Sequence, residues 1–358
     1  MTPVAIPLAL LDQFAAAGFA RLELGVLQPA EPFLDVMGEE LRQRMFLTSD
    51  ADGREMCLRP DFTIPAALAH IAGGDPARAA SYAYAGPVFR HGANGGEVAQ
   101  IGVESFGRLD RLAAETEVLA LAVEAAQALG LPSPAIRLGD RALVDAAVGA
   151  LDAPASLKRR LKREIAHGGS IDTLTTPQRA EESGHAGLFA ALEAAGPDAA
   201  RGVIEDVLSL AGIAAVGGRT PAEIAERFIE RAANRSAAIP AAQRQTLRSF
   251  LAIDDAAPAA LNRLKEILGP GPQISVFEER LDAFSGAGLP VDRMRFSSRI
   301  GQGLDYYDGL VFELARYDGA DPVGGGGRYD GLLGALGAQA AAPGVGFALW
   351  LDRFGAGS

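Results

Sequence analysis

The sequence predicts an α+β fold: an antiparallel sheet drawn from both ends of the chain, flanked by helices and interrupted by an all-α insertion. Three observations carry this expectation. Strand-like runs separated by turn residues fill residues 20–107. Helical periodicity takes over from about 140 to 270. Strand character then returns at 292–297, 310–317 and 344–351. Strands, then helices, then strands again are most simply joined in one sheet with a helical excursion. The expected organisation is therefore a core of residues 1–140 and 271–358 and a helical insertion of residues 141–270.

Each element has a local reason. Leu8 to Ala17 repeats apolar side chains at helical spacing and closes on Gly18 as a C-cap. A β-like run follows from Ala20 to Leu27, ending at Gln28-Pro29, and residues 31–44 have helical periodicity. Met45 to Thr48 and Glu55 to Leu58 are short strand candidates joined through Asp52-Gly53, a hairpin signal. After a helix near 62–72, Tyr82 to His91 and Glu97 to Gly107 form a long hairpin closed by Gly92-Ala93-Asn94-Gly95-Gly96. Over 111–129, Val118, Leu121, Ala122, Ala125 and Leu129 share one helix face, and Gly130 ends it. Within the α region, Thr220-Pro221-Ala222-Glu223 is a capping box with proline at its first helical position.

Composition narrows the function classes. The 358 residues are 49% apolar and 22% charged, as in a globular chain of two or three domains. No apolar run approaches the ~18 residues of a membrane span, and the N-terminus lacks the basic region of a signal peptide. A single cysteine, Cys57, forbids an intrachain disulfide and suits the cytoplasm. The net charge of −12 weighs against a nucleic-acid partner, because phosphate binding needs concentrated Lys and Arg. The one basic cluster, Lys158-Arg159-Arg160 with Lys162 and Arg163, spreads over several helix faces and fits a solvated surface. His70, His91, His167 and His185 have no metal-like spacing with one another or with Cys57, so neither a metal nor a Cys–His nucleophile is expected.

Four segments stand out. They are Leu58-Arg59-Pro60-Asp61-Phe62-Thr63; Phe89-Arg90 with Gln100 and Glu104 on the facing strand; Gly301 to Tyr307; and Gly324 to Gly331 with Gly344 to Arg353 behind it. Each alone admits a plain structural role. Asp61 would cap a helix, Gln100 and Glu104 would share a solvent face, Tyr306-Tyr307 would edge the core, and the glycine run would be a mobile loop. That run lacks the Lys-Ser/Thr of a P-loop.

Together, in this order, they resemble the class II aminoacyl-tRNA synthetase core and its histidine-specific branch. Leu-Arg-Pro-Asp-x-Thr at 58–63 resembles that branch's Leu-Arg-Pro-Glu-x-Thr, and Phe89-Arg90-His91 resembles the start of the second class motif. Gly303-Leu304-Asp305-Tyr306-Tyr307 followed by Val311-Phe312-Glu313 resembles the first histidine motif, and Gly-Gly-Arg-Tyr-Asp-Gly-Leu at 326–332 the second. Gly346-Phe347-Ala348 to Arg353 resembles the third class motif.

The resemblance implies a class II synthetase-like sheet and a pocket for free L-histidine. Asp61, Thr63, Gln100 and Glu104 match positions that contact histidine, and their oxygens suit an ammonium. Tyr306, Tyr307 and Tyr329 would supply a polar aromatic wall for the imidazole. Arg90 and Arg353 match the arginines that hold ATP phosphates.

The departures from the pattern are as informative. Gln302 stands where a working synthetase has an arginine that stabilises developing charge, an effect commonly worth ~3–4 kcal/mol. Residues 92–97 form a short linker without Lys or Arg where the family carries basic residues. Trp350 replaces a glycine beside the adenine, where its indole would either fill that space or pack in the core. Asp61 shortens one acceptor by a methylene, roughly 1.5 Å. The sequence ends at Ser358, five residues after Arg353, so no anticodon-binding domain is expected.

This combination points to the regulatory-subunit family of ATP phosphoribosyltransferase, synthetase-like paralogues that do not charge tRNA. Membership implies a non-catalytic role beside a short catalytic subunit in the first step of histidine biosynthesis, with L-histidine as allosteric ligand. It also implies no cofactor, and a homodimer within a hetero-oligomer, formed through the region ending near Pro29. The alternatives are a catalytic core fragment of histidyl-tRNA synthetase, and a synthetase-like binding or modifying protein of another pathway.

Overall fold

The computed structural model describes residues 7–37, 42–92, 96–172, 239–300 and 306–354. It divides into two compact units, one of Met1–Ala146 with Ser249–Ser358 and one of Ala147–Arg248.

The first unit is built on a nine-stranded sheet. Its strands are β1 (Ala20–Arg21), β5 (Ala80–Phe89), β6 (Glu97–Phe106), β7 (Ala135–Asp140), β8 (Asp254–Ala256), β9 (Arg295–Ser297), β10 (Leu310–Ala315), β11 (Pro322–Arg328) and β12 (Gly344–Trp350). Their spatial order is β1-β5-β6-β12-β11-β10-β7-β9-β8. A separate three-stranded sheet, ordered β2-β4-β3, consists of β2 (Leu27–Pro29), β3 (Leu47–Ser49) and β4 (Glu55–Leu58). The large sheet thus joins N-terminal and C-terminal strands, as the sequence pattern required. It is mixed rather than purely antiparallel, because β1 runs parallel to β5 and β7 parallel to β9.

The helices of this unit cover the sheet. They are α1 (Leu8–Ala16), α2 (Glu31–Val36), α3 (Thr63–Ala72), α4 (Arg111–Ala128), α8 (Ala257–Leu268), α9 (Pro272–Gly286) and α10 (Leu332–Ala335), while α5 (Arg141–Gly149) leads out of it. In the second unit lie α6 (Ala155–Ala166) and most of α7 (Ala241–Leu251). α4 packs on β12 with one side and on α9 with another. Its burial is therefore wider than a single amphipathic stripe: Ala114, Glu115, Leu119, Val123 and Ala126 are buried beside Val118, Leu121, Ala122 and Ala125. On α6, Leu157, Leu161 and Ile165 face inward at helical spacing, while Arg159, Arg160 and Arg163 are exposed. None of the described helices is long and apolar enough to cross a membrane.

Several local expectations need correction. The β-like run Ala20 to Leu27 is two strands in two sheets, divided by residues 22–26. The backbone there serves the site instead, since the Leu24 and Gly25 carbonyls accept from Arg59. The helix expected over 31–44 ends at Val36, and residues 38–41 lie outside the described residues. The strand expected from 292 opens with a 3-10 turn, Val291–Arg293. The insertion boundaries fall at 147 and 248 rather than at 141 and 270, because β8 pairs with β9 and α8 follows it in the first unit. The capping box at 220–223 lies outside the described residues.

The glycine run is not a loop. Gly324 to Gly327 form the middle of β11, between β10 and β12. Glycine costs strand stability and marks close approach. Here a Cβ at Gly326 would lie 2.2 Å from the Gly346 carbonyl oxygen, and one at Gly327 would lie 2.9 Å from the Tyr307 ring.

Candidate functional site

Strand register places the site. Opposite residues in an antiparallel pair share a face. Tyr82, Tyr84 and Gly86 of β5 face Glu104, Gly102 and Gln100 of β6, and these face Gly346, Ala348 and Trp350 of β12. Gly327 and Gly325 of β11 extend the same face. Glu104 and Gln100 are four residues apart, so the sheet displays them on one side, roughly 13 Å apart along the strand.

Glu104 is the centre of this face. It is 1% exposed, yet its carboxylate is well supplied with donors. Oε1 accepts from the Thr63 hydroxyl at 2.6 Å and from the Tyr84 hydroxyl at 3.1 Å, and Oε2 accepts from the Tyr329 hydroxyl. Room for this cluster comes from glycine. A Cβ on Gly346 would lie 2.0 Å from Glu104 Oε2, and one on Gly102 would lie 2.7 Å from the Tyr84 oxygen. Burial pushes the Glu104 carboxyl up to about 7, with the three hydroxyls opposing that shift and Asp61 adding to it.

Asp61 enters from the loop between β4 and α3. Its Oδ1 accepts from the Ile64 N–H at 3.3 Å in the first turn of α3, the capping role its position suggested. Among the described residues its Oδ2 has no hydrogen-bond partner, and the same is true of Gln100 Oε1. Both residues are buried. Burial pushes the Asp61 carboxyl up to about 6, against the pull of Arg90 and two backbone N–H groups. Arg90, just beyond β5, is held by its Nε donating to the Pro60 carbonyl at 2.7 Å. Burial lowers its pKa, Asp61 opposes that, and the positive charges of Arg44 and Arg353 add to it.

Three rings form the aromatic wall. Tyr306 and Tyr307 have centroids 4.9 Å apart, and Tyr329 lies 5.7 Å from the first and 6.1 Å from the second. Burial holds all three phenols above their ordinary range. Asp61, Thr63, Glu104, Arg90 and the three tyrosines thus converge. Arg353 lies at the rim, near enough for its charge to act on Arg90: it is exposed, donates to the Pro322 carbonyl, and its guanidinium lies 4.5 Å from the Trp350 ring centre. Trp350 is part-exposed on the pocket face opposite Gln100, so it is not a core residue. Gln302 lies outside the described residues.

Several residues of the site went unassigned in the sequence. Tyr84 supplies the third hydroxyl to Glu104 and stacks on Phe62 at 4.4 Å. The hairpin register offered the signal, since it sets Tyr84 opposite a glycine. Arg59 braces the loop before α3 by donating to Leu24 O at 2.6 Å and Pro87 O at 2.8 Å. Arg328 is buried and paired with Glu115, as is Arg280, which reaches Glu115 at 2.7 Å and Asp140 at 2.6 Å. Cys57 is buried in an apolar cluster with Phe33, Met45 and Ile64, and burial pushes its thiol up to about 12. The described residues contain no group of three or more His, Cys, Asp or Glu arranged to hold a metal.

Comparison with known proteins gives the family and the fold. The profile of the histidyl-tRNA synthetase family matches residues 5–214 and 184–354. An ATP phosphoribosyltransferase regulatory subunit from Mesorhizobium japonicum is 40% identical over 356 residues, covering 95% of this chain and 94% of that protein. One of the same name from Agrobacterium fabrum is 38% identical over 361 residues, covering 96% and 94%. Among solved structures, an ATP phosphoribosyltransferase regulatory subunit/histidyl-tRNA synthetase from Bacillus halodurans superposes with a TM-score of 0.67 at 18% identity, covering 99% of this chain and 80% of that one. A histidine–tRNA ligase subunit from Alicyclobacillus acidocaldarius gives 0.59 at 24% identity, covering 99% and 94%. The likeness to the solved structures establishes the class II fold, and the curated relatives establish the branch. The chain belongs to the histidyl-tRNA synthetase-like family and, within it, to the regulatory subunits of ATP phosphoribosyltransferase.

Proposed function

We propose that this chain partners a short catalytic subunit of ATP phosphoribosyltransferase in the cytoplasm, in the first step of histidine biosynthesis. In this reading its pocket binds free L-histidine and conveys feedback. The observation that carries the ligand is the donor–acceptor balance of the pocket. Among the described residues, two buried acceptors, Asp61 Oδ2 and Gln100 Oε1, lack donors. Buried polar groups are normally paired, and an unmet one costs about 1–3 kcal/mol. A ligand rich in N–H groups, with an ammonium and a flat imidazole, fits such acceptors beside three phenol rings.

Feedback requires histidine to favour one state of the complex, because equal affinity for both shifts nothing. Self-association through the small sheet is part of the same reading. Val26, Leu27 and Leu47 are exposed there, which supports a covering partner copy.

Calorimetric titration of histidine and of ATP into the chain tests the ligand. Histidine binding with little ATP binding is the expected outcome, and a flat histidine isotherm removes the sensor. Mixing with the short catalytic subunit should raise phosphoribosyl-ATP formation; no rise would defeat the partner assignment. Histidine-dependent ATP–pyrophosphate exchange would instead favour a working synthetase core.

A further inference from the structure

Asp308 has no part in the chemistry described so far, yet it adjoins Tyr307 in the chain and bonds the backbone on both sides of Tyr329. It follows Tyr306-Tyr307 directly and precedes β10. Its Oδ1 accepts from the Asp330 N–H at 3.0 Å and its Oδ2 from the Gly331 N–H at 2.7 Å. Its own N–H donates to the Arg328 carbonyl at 3.1 Å. Three hydrogen bonds from one residue therefore bracket Tyr329 on both sides.

The far side of that turn is held as well. The Asp330 carboxylate accepts from Arg328 Nη1 at 2.8 Å and from the Gly344 N–H at 3.1 Å, and pairs with Arg111 at 3.2 Å. The Tyr329 N–H donates to the Gly344 carbonyl at 2.8 Å. With its backbone fixed from both directions, the Tyr329 hydroxyl can reach Glu104. Asp308 is the one link in this set that also fixes the Tyr306-Tyr307 segment.

We infer that Asp308 is a positioning residue for the ligand pocket, its carboxylate tying the Tyr306-Tyr307 segment to the turn that carries Tyr329. Two acceptor oxygens are what two consecutive N–H donors need. Asparagine has nearly the same shape but offers one acceptor, and its amide would face the second N–H as donor against donor. Asp308 is also exposed as a residue, so its replacement does not open a cavity in the core.

The inference rests on the histidine-binding reading for its ligand readout, and on no ligand for its structural readout. The test compares wild-type chain with D308N and D308A by hydrogen exchange, near-UV circular dichroism and histidine calorimetry. Without histidine, the Asp330 and Gly331 amides should exchange faster in both variants and the tyrosine dichroism should weaken, while exchange in β5 and β6 stays as in wild type. The histidine Kd should rise about tenfold or more, and the melting temperature should fall by a few degrees, as loss of intramolecular hydrogen bonds to a charged group implies. Unchanged exchange and dichroism overturn the clamp, whatever histidine does. Faster exchange with an unchanged Kd overturns the positioning role. Failure of the wild type to bind histidine defeats the ligand assignment, and the exchange and dichroism arms then still decide whether Asp308 holds the wall.

Discussion

A carboxylate with almost no access to water and three hydroxyl donors is poised between two states. Ionised, Glu104 satisfies Thr63, Tyr84 and Tyr329 but carries charge in a sealed site. Burial raises its pKa from the ordinary 4.5 to about 7, and that of Asp61 from 3.8 to about 6. A raised folded-state pKa means that the native chain holds protons the unfolded chain has released. The stability these groups contribute is full below their unfolded values and falls as pH rises through about 6 and 7. The α-ammonium of histidine, cationic at pH 5.5 and at pH 8, offsets this penalty where the carboxylates are ionised, so histidine should raise the melting temperature more at pH 8 than at pH 5.5. Equal shifts at both values, measured by scanning calorimetry, would contradict the assignment. Glu104→Gln should flatten the pH dependence of the ligand-free chain and weaken histidine binding by roughly 10–100-fold, the range for hydrogen bonds to a charged group. At this scale the sequence was legible where a motif names its residue, as with Asp61, Thr63 and Glu104. It was silent on Tyr84, Arg328 and Glu115, whose roles come from register and burial that no neighbouring residue announces.

Among elements, β11 and β12 matter most, because their glycines form a bare surface on which other side chains lie. Gly346→Ala would bring a methyl to 2.0 Å from Glu104 Oε2, against a side chain already held by three donors. Overpacking of this kind costs about 1–3 kcal/mol, and histidine binding should be lost along with it, readable by thermal melting and calorimetry. α4 and α9 are joined differently, through the buried Glu115 between Arg280 and Arg328. Breaking one partner of a buried ion pair costs about 3–5 kcal/mol. Arg280→Ala should therefore lower denaturant resistance sharply, whereas Arg263→Ala on α8, which removes a part-exposed pair with Asp255, should change it by less than about 1 kcal/mol. The hairpin β5–β6 and the helices α3 and α4 were readable from periodicity and turn residues. β11 was not, because a glycine run lacks the β-branched and aromatic residues by which strands are recognised. The break between β1 and β2 was hidden because both halves are short and continuously strand-like.

For the whole molecule, the sheet was legible as a plan: two terminal blocks of strands share it, on either side of an excursion of the chain. The edges of that excursion were not, since β8 is only three residues long and its membership depends on pairing with β9. Buried acceptors beside an aromatic wall, in a chain of a regulatory-subunit family, fit the proposed recognition of a small molecule without its transformation. In the reconstituted complex, histidine should inhibit phosphoribosyl-ATP formation, and Glu104→Gln should abolish that inhibition while leaving uninhibited turnover within about twofold. Turnover assays with and without histidine decide it; persistent inhibition in the variant would move the sensor elsewhere.

The pairing of β6 with β12 also sets a timetable for synthesis. Glu104 lies opposite Gly346, about 240 residues later in the chain. At translation rates of about 5–20 residues per second, that gap lasts roughly 10–50 s. Through that interval the β5–β6 hairpin presents an unpaired inner edge, the kind of surface that recruits foreign strands. Ribosome-bound chains halted before residue 306 should accordingly need chaperone protection, and adding histidine to them should not help, because the three tyrosines of the proposed pocket have yet to be made.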